Sequence, residues 1–173
     1  MSRLAELEHA YGTKRAYLIV QRELSLRKVR ASFLGRDGLL NFIRYFWTIL
    51  EPNRPFAEGW ALRAMCDHLQ AVSNGDITRL LINVPPGSMK SLLVNVFWPA
   101  WEWGPFKRPD LRYVSFSYGS YLTERDNQKF LDLCDCAQYR ELYGTKVELR
   151  EKGKVKVSNK QTGWKFATSV GGI

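Results

Sequence analysis

Leu80–Ser91, LLINVPPGSMKS, is the stretch on which the fold turns. Leu80, Leu81, Ile82 and Val84 make a short apolar run that predicts a fully covered parallel strand. Pro85 and Pro86 cannot continue a ladder, and Gly87 permits a sharp reversal. Lys90 and Ser91 then open a helix. Strand, tight turn and helix start, in that order, are the parts of a phosphate-binding loop. The unpaired N–H groups of a helix start, together with its dipole, attract anions. Lys90 would reach the β- and γ-phosphates of a nucleotide, and the Ser91 hydroxyl would ligate Mg²⁺.

The pattern G-x-x-x-x-G-K-[ST], anchored on Lys90, puts its two glycines at Val84 and Met89. Neither is glycine, and Gly87 is the only one in the loop. Two readings stay open on the bare pattern: a phosphate loop, or an ordinary strand–turn–helix with an exposed lysine. A strong strand before the loop and a strong helix after it favour the first.

Working outward, 173 residues suffice for one domain with a real core. An apolar content of 45% with 13% aromatic residues excludes a disordered chain. The net charge of +9 suggests a polyanionic partner, nucleic acid before membrane. Arg15, Arg22, Arg27, Lys28, Arg30 and Arg36 crowd the N-terminal region. Lys146, Arg150, Lys152, Lys154, Lys156, Lys160 and Lys165 crowd the C-terminal one. Each cluster reads equally as the solvated face of a helix or hairpin. Cys66, Cys134 and Cys136 suit no disulfide framework, and with His9 and His68 they assemble no zinc set. They read as free thiols. No apolar run approaches a membrane span and no signal-peptide pattern opens the chain, so a soluble, cytoplasmic protein is expected.

Helical patterning runs from Lys14 to Leu34, and Gly35–Gly38 separates it from a helix containing Phe42, Ile43, Phe46 and Trp47. A third helix, from about Gly59 to Ser73, places Leu62, Met65, Cys66, Leu69 and Val72 on one face. The loop helix begins at Ser88, is kinked or restarted by Pro99, and ends at Gly104-Pro105. Leu111–Ser117 alternates as a strand, and Ser120–Cys134 reads as a helix. Val155 and Val157, then Trp164 and Phe166, predict a β-hairpin across Ser158–Gly163. Strand–helix–strand–helix around a phosphate loop predicts an α/β, doubly wound, mostly parallel sheet. Trp98, Trp101 and Trp103 follow a buried helix and are expected in the core.

The run LLINVPPGSMKSLLVNVFWPAWEWGP (80–105) closely resembles the ATPase domain of the tailed-phage terminase large subunit. EPNRPFAEGW (51–60), RYVSFSYG (112–119) leading into TERDNQ, and GWKFATSVGGI (163–173) resemble further segments of that family. The resemblance covers roughly residues 33–173, and Met89 looks like an accepted variant there. It implies a partial P-loop NTPase: an N-terminal helical region over 1–55, then an incomplete ATPase core over 56–173 that ends before the acidic (Walker B) strand. It further implies part of an ATP-driven motor that moves double-stranded DNA into a procapsid. Portal protein, a small terminase subunit and other copies in a ring would be its partners, in the bacterial host cytoplasm.

Carried over by position, Pro86, Gly87, Ser88 and Met89 would supply the backbone cradle for ATP, Lys90 the phosphate charge and Ser91 the Mg²⁺ contact. Motors of this kind use an arginine against transition-state charge. Arg125 is the candidate, with Arg79 a weaker one; the alternative for Arg125 is a surface arginine paired with Glu124 or Asp126. His68 reads as a helix-face residue. Such an ATPase also needs a carboxylate pair after four apolar residues. Asp110, Asp126, Asp132, Asp135, Glu148 and Glu151 do not sit at the end of such a strand. The chain by itself is therefore expected to bind nucleotide weakly without useful hydrolysis, and to leave an apolar, unpaired sheet edge. A helicase-like DNA-dependent NTPase segment and a non-catalytic basic DNA-binding remnant are the alternatives.

Overall fold

The computed structural model describes residues 3–170. They form two compact units, one ending at Ser32 and one beginning at Phe33. The smaller holds α1 (Arg3–Tyr11) and α2 (Thr13–Ser32), the second of which matches the unbroken pattern from Lys14. Gly12 separates them at φ 77°, a conformation glycine adopts without steric cost.

The larger unit opens with α3 (Gly38–Leu50) and α4 (Trp60–Asn74). Next comes one helical run made of α5 (Lys90–Leu92), a π-helical turn (Leu93–Phe97) and α6 (Trp98–Trp103). Then follow β1 (Arg112–Ser117), α7 (Ser120–Asp135), α8 (Ala137–Tyr143), β2 (Leu149–Lys152), β3 (Lys156–Asn159) and β4 (Trp164–Ser169). The π turn explains how Pro99 is tolerated. Proline lacks an N–H and its ring presses on the carbonyl four residues back, here that of Asn95. Widening the helix across Leu93–Phe97 relieves that clash without breaking the run.

The sheet is mixed, in the order β1-β4-β3-β2. Only β1 and β4 are parallel, with Val114 opposite Phe166; β3 is antiparallel to β4 and β2 to β3. The expected mostly parallel sheet is thus corrected. The expected β3–β4 hairpin forms, and its short connection, like that between β2 and β3, permits only antiparallel pairing. β2, in a charged stretch, carried no apolar alternation by which it could be foreseen.

A second correction concerns Leu80–Val84. The stretch is extended but belongs to no sheet, and its exposure alternates: Leu80, Ile82 and Val84 are half-buried, while Leu81 is 84% exposed. It lies along α4, sharing a groove with Met65 and His68. An apolar run specifies that a segment will be partly covered; it does not specify a hydrogen-bonding neighbour. Here a helix covers one side instead of strands on two. Nor is the sheet covered on both faces, as a doubly wound fold requires. Ser115 of β1 is buried, whereas Val114 and Phe116 on the opposite face are about half exposed.

The core forms where α3, α7, the π turn and α6 meet the inner sheet face. Phe33, Phe42, Phe46, Phe97, Trp103, Phe130 and Tyr139 are essentially fully buried. Ring centroids lie 4.7 Å apart for Phe42–Phe46 and 5.0 Å for Trp103–Phe130, within the range of favourable aromatic pairs. Trp101 and Trp103 are core residues as expected, and their indole N–H groups donate to the carbonyls of Phe33 (2.9 Å) and Leu111 (3.1 Å). Glu102 between them is buried but satisfied, accepting from Tyr113 Oη at 2.6 Å and Ser73 Oγ at 2.7 Å. Burial nonetheless pushes its carboxyl above the usual range, with the two hydrogen bonds working against that rise.

Candidate phosphate site

The loop after Val84 is a tight turn. Ser88 N–H donates to the Pro85 carbonyl at 3.3 Å and its hydroxyl to the same oxygen at 2.6 Å. Pro86 and Gly87 occupy the central positions, with Gly87 at φ 85°, which is the residue choice and sign of a type II turn. Met89 follows at φ 61°, ψ 7°, also left-handed. This is the position where the pattern G-x-x-x-x-G-K-[ST] has its second glycine, and Met89 holds there a backbone conformation that glycine adopts without steric cost. A bulky residue pays roughly 1–2 kcal/mol for that region. Met89→Gly should therefore leave stability unchanged or raise it by up to about 1 kcal/mol, relief of strain outweighing added chain entropy. Met89→Ala should lower it, because the strain stays and the packing goes. Urea unfolding midpoints of the two variants test this.

Met89, Lys90 and Ser91 make no intramolecular backbone N–H bond among those of the described residues; the first to do so is Leu93, to the Met89 carbonyl at 2.9 Å. Lys90 and Ser91 are exposed, and among the described residues Lys90 has no acidic partner. They open on a cleft of about 700 Å³. The loop from Val84 to Leu92 forms one wall, α3 and the segment after it contribute Trp47, Glu51 and Arg54, and α7 contributes Arg125, Asp126 and Lys129.

All the expected site residues, Pro86, Gly87, Ser88, Met89, Lys90, Ser91 and Arg125, line this one cleft. Arg79 and His68 do not. The two readings of Arg125 meet in one geometry. Its Nε and Nη2 donate to Asp126 Oδ1 at 3.1 and 2.8 Å, while the side chain remains 54% exposed at the cleft. Glu51, Arg54, Trp47 and Lys129 are cleft residues that the sequence reading did not single out. Lys129 stands four residues after Arg125, hence on the same helix face, and that spacing could have found it. Glu51 had no local signal. It pairs with Lys129 at 2.5 Å, and this hydrogen bond holds its carboxyl below the usual range against the opposing effect of burial.

The cleft thus combines exposed N–H groups, a lysine, a hydroxyl and an arginine. Both of its carboxylates, Glu51 and Asp126, are engaged by neighbouring cations. The C-terminal basic cluster divides differently from its sequence. Lys152, Lys156 and Lys160 pair with Asp135, Glu151 and Glu148, and Lys165 is buried in the core. That leaves Lys146, Arg150 and Lys154 of the seven. The three cysteines are free thiols, Cys66 and Cys134 buried and Cys136 half-buried. No helix among the described residues is long and apolar enough to cross a membrane. Comparison with protein-family models, with curated proteins and with solved structures finds no match.

Proposed function

We propose that the Pro85–Ser91 loop holds the phosphates of ATP, and that the chain is the ATP-binding part of a viral DNA-packaging motor of the terminase type. One observation carries the nucleotide part: the loop keeps the left-handed backbone at Met89 and presents three unpaired N–H groups, Lys90 and Ser91 to a cleft large enough for a nucleotide. The motor part rests on the resemblance of residues 80–105 to that family. Mg²⁺ would be held from the protein side by the Ser91 hydroxyl, which makes no hydrogen bond to the described residues. Its charge would neutralise the β- and γ-phosphate oxygens. Backbone N–H groups cradle the anion, Lys90 supplies a point charge, and Arg125 approaches from α7 across the cleft. Because Glu51 and Asp126 are tied to cations, the cleft offers a phosphate site and no ready general base.

The expected result is saturable binding of a fluorescent ATP analogue in the presence of Mg²⁺, at least tenfold weaker in Lys90→Ala with the melting temperature unchanged. Equal affinity of wild type and Lys90→Ala would overturn the reading. A second reading, basic binding to nucleic acid without nucleotide, is favoured by Lys146, Arg150 and Lys154, which make no ion pair among the described residues. It predicts salt-sensitive duplex binding that is indifferent to Lys90 and to ATP.

A further inference from the structure

Asp126 occupies an unusual position for a residue that sequence reading would leave on a helix surface. Its side chain is 5% exposed, and its two oxygens are claimed by two different elements. Oδ1 accepts from Arg125, as described, and Oδ2 accepts from Asn95 Nδ2 at 3.1 Å. Asn95 lies in the π turn, on the same helical run as Lys90 and Ser91. The bond therefore ties the phosphate-loop helix directly to α7, the helix that carries Arg125.

The orientation of this tie is fixed from below. Lys165 Nζ, at the floor of the core, donates to Asn127 Oδ1 at 2.7 Å and to Ser115 Oγ at 3.2 Å. Ser115 Oγ donates in turn to Asn95 Oδ1 at 3.4 Å. A lysine only donates and a carboxylate only accepts. With those two ends set, the serine hydroxyl and the asparagine amide between them can face only one way, and every hydrogen in the chain points toward Asp126. The carboxylate is thus held in place by groups from the π turn, β1 and β4. Arg125 is gripped through Nε and Nη2, while Nη1 makes no hydrogen bond to the described residues.

We propose that Asp126 is a positioning residue. Anchored by Asn95 to the helix that bears Lys90 and Ser91, it holds the Arg125 guanidinium at the cleft for the terminal phosphate of a nucleoside triphosphate. Without the carboxylate, a half-exposed arginine samples many rotamers and its charge is spread over solvent. With it, the distance between Lys90 and Arg125 is set by a buried hydrogen bond. The device discriminates by phosphate number, since a diphosphate fills the loop and stops short of the arginine. This rests on the nucleotide reading above.

The test is the ratio of ATP to ADP affinity in wild type, Arg125→Ala, Asp126→Asn, Asn95→Ala and the double variant Arg125→Ala/Asp126→Asn, with Lys90→Ala alongside. Wild type should prefer ATP by about tenfold or more. Arg125→Ala and Asp126→Asn should each remove that preference by weakening ATP and sparing ADP, and the double variant should be no worse than either single one. Lys90→Ala should weaken both nucleotides. Asn95→Ala leaves the carboxylate intact and removes its tie, along with the acceptor of the long Ser115 bond, so it should erode the preference in the same direction. It also carries the test if Asp126→Asn fails to fold. An unchanged preference in Asp126→Asn or Asn95→Ala, equal loss of ATP and ADP, or additive loss in the double variant would overturn the positioning role while leaving Lys90-dependent binding standing. Failure of wild type to bind either nucleotide would overturn the nucleotide reading and this proposal with it.

Discussion

Trp103→Ala should cost about 3–5 kcal/mol and bring the larger unit to the edge of unfolding. Trp103 is fully buried, and its ring packs edge-on against Phe130, linking α6 to α7. Truncation leaves a large cavity at a junction where both helices are held by other contacts and cannot collapse into it. It also removes the N–H that satisfies the Leu111 carbonyl just before β1. Trp103→Phe separates the two losses. It keeps an aromatic ring and should cost less, about 0.5–1.5 kcal/mol for the lost hydrogen bond to the half-buried Leu111 carbonyl together with the smaller ring. Urea unfolding followed by the remaining tryptophans gives both values. A cost below 1 kcal/mol for the alanine variant would contradict the packing described.

Lys165→Met should change the pH dependence of stability more than its value at neutrality. Lys165 is completely buried, and burial lowers its pKa from 10.5 to about 8, opposed by the nearby Asp126 charge. Below pH 8 the amine is protonated in both folded and unfolded chains, and folding bears the full cost of burying the charge, about 3 kcal/mol. Between pH 8 and 10.5 the folded form is neutral and the unfolded form still binds the proton. In that window the Lys165 contribution rises with pH. Buried acids act in the opposite direction. Desolvation pushes the Cys66 thiol up to about 12 and raises Cys134 and the Tyr113 and Tyr139 hydroxyls, so these groups cost stability as pH climbs past their unfolded values.

Wild-type stability is the sum of both, and the difference between wild type and Lys165→Met isolates the lysine. Methionine should be comparable to or more stable than wild type at pH 7, because desolvation relief offsets the lost bonds to Asn127 and Ser115. The difference should then move by about 3 kcal/mol in favour of wild type on going to pH 10.5. A pH-independent difference would show that the amine is neutral, or solvated, throughout.

Lys165 also shows what sequence reading can and cannot see. In the sequence it is one of seven cations in a basic stretch, and nothing in its spacing marks it as interior. It alternates with Trp164 and Phe166 along β4, so a strand with one polar face and one apolar face is legible. Which of those faces becomes buried is not. The half-buried faces of Trp164 and Phe166 lie opposite the covered one, and the lysine goes inside because α7 brings Asn127, and β1 brings Ser115, to meet it. The candidate site divides in the same way. Pro86–Ser91 was legible as a unit because a turn and a helix start are written in neighbouring residues. In the sequence Asp126 is a helix carboxylate away from any strand end. It reached the cleft through a bond to Asn95, thirty-one positions earlier.

The stretch LLINVPPGSMKS is enough to set a turn at Pro86-Gly87 and a helix start close behind it, because proline and glycine geometry acts within a few residues. Periodicity likewise makes α3, α4, α7 and the β3–β4 hairpin legible, since an apolar face repeats with the period of its own element, whereas α2, which buries only Ala16, is legible from a long run without a helix breaker. Tertiary structure alone decided that Leu80–Val84 lies against a helix without joining the sheet, that the sheet is mixed, and that Arg125 and Asp126 stand across the cleft from Lys90. Those outcomes depend on which distant surfaces meet. A buried hydrogen bond or ladder partner is chosen by the packing of whole elements, and no residue carries the name of its partner in its own neighbourhood.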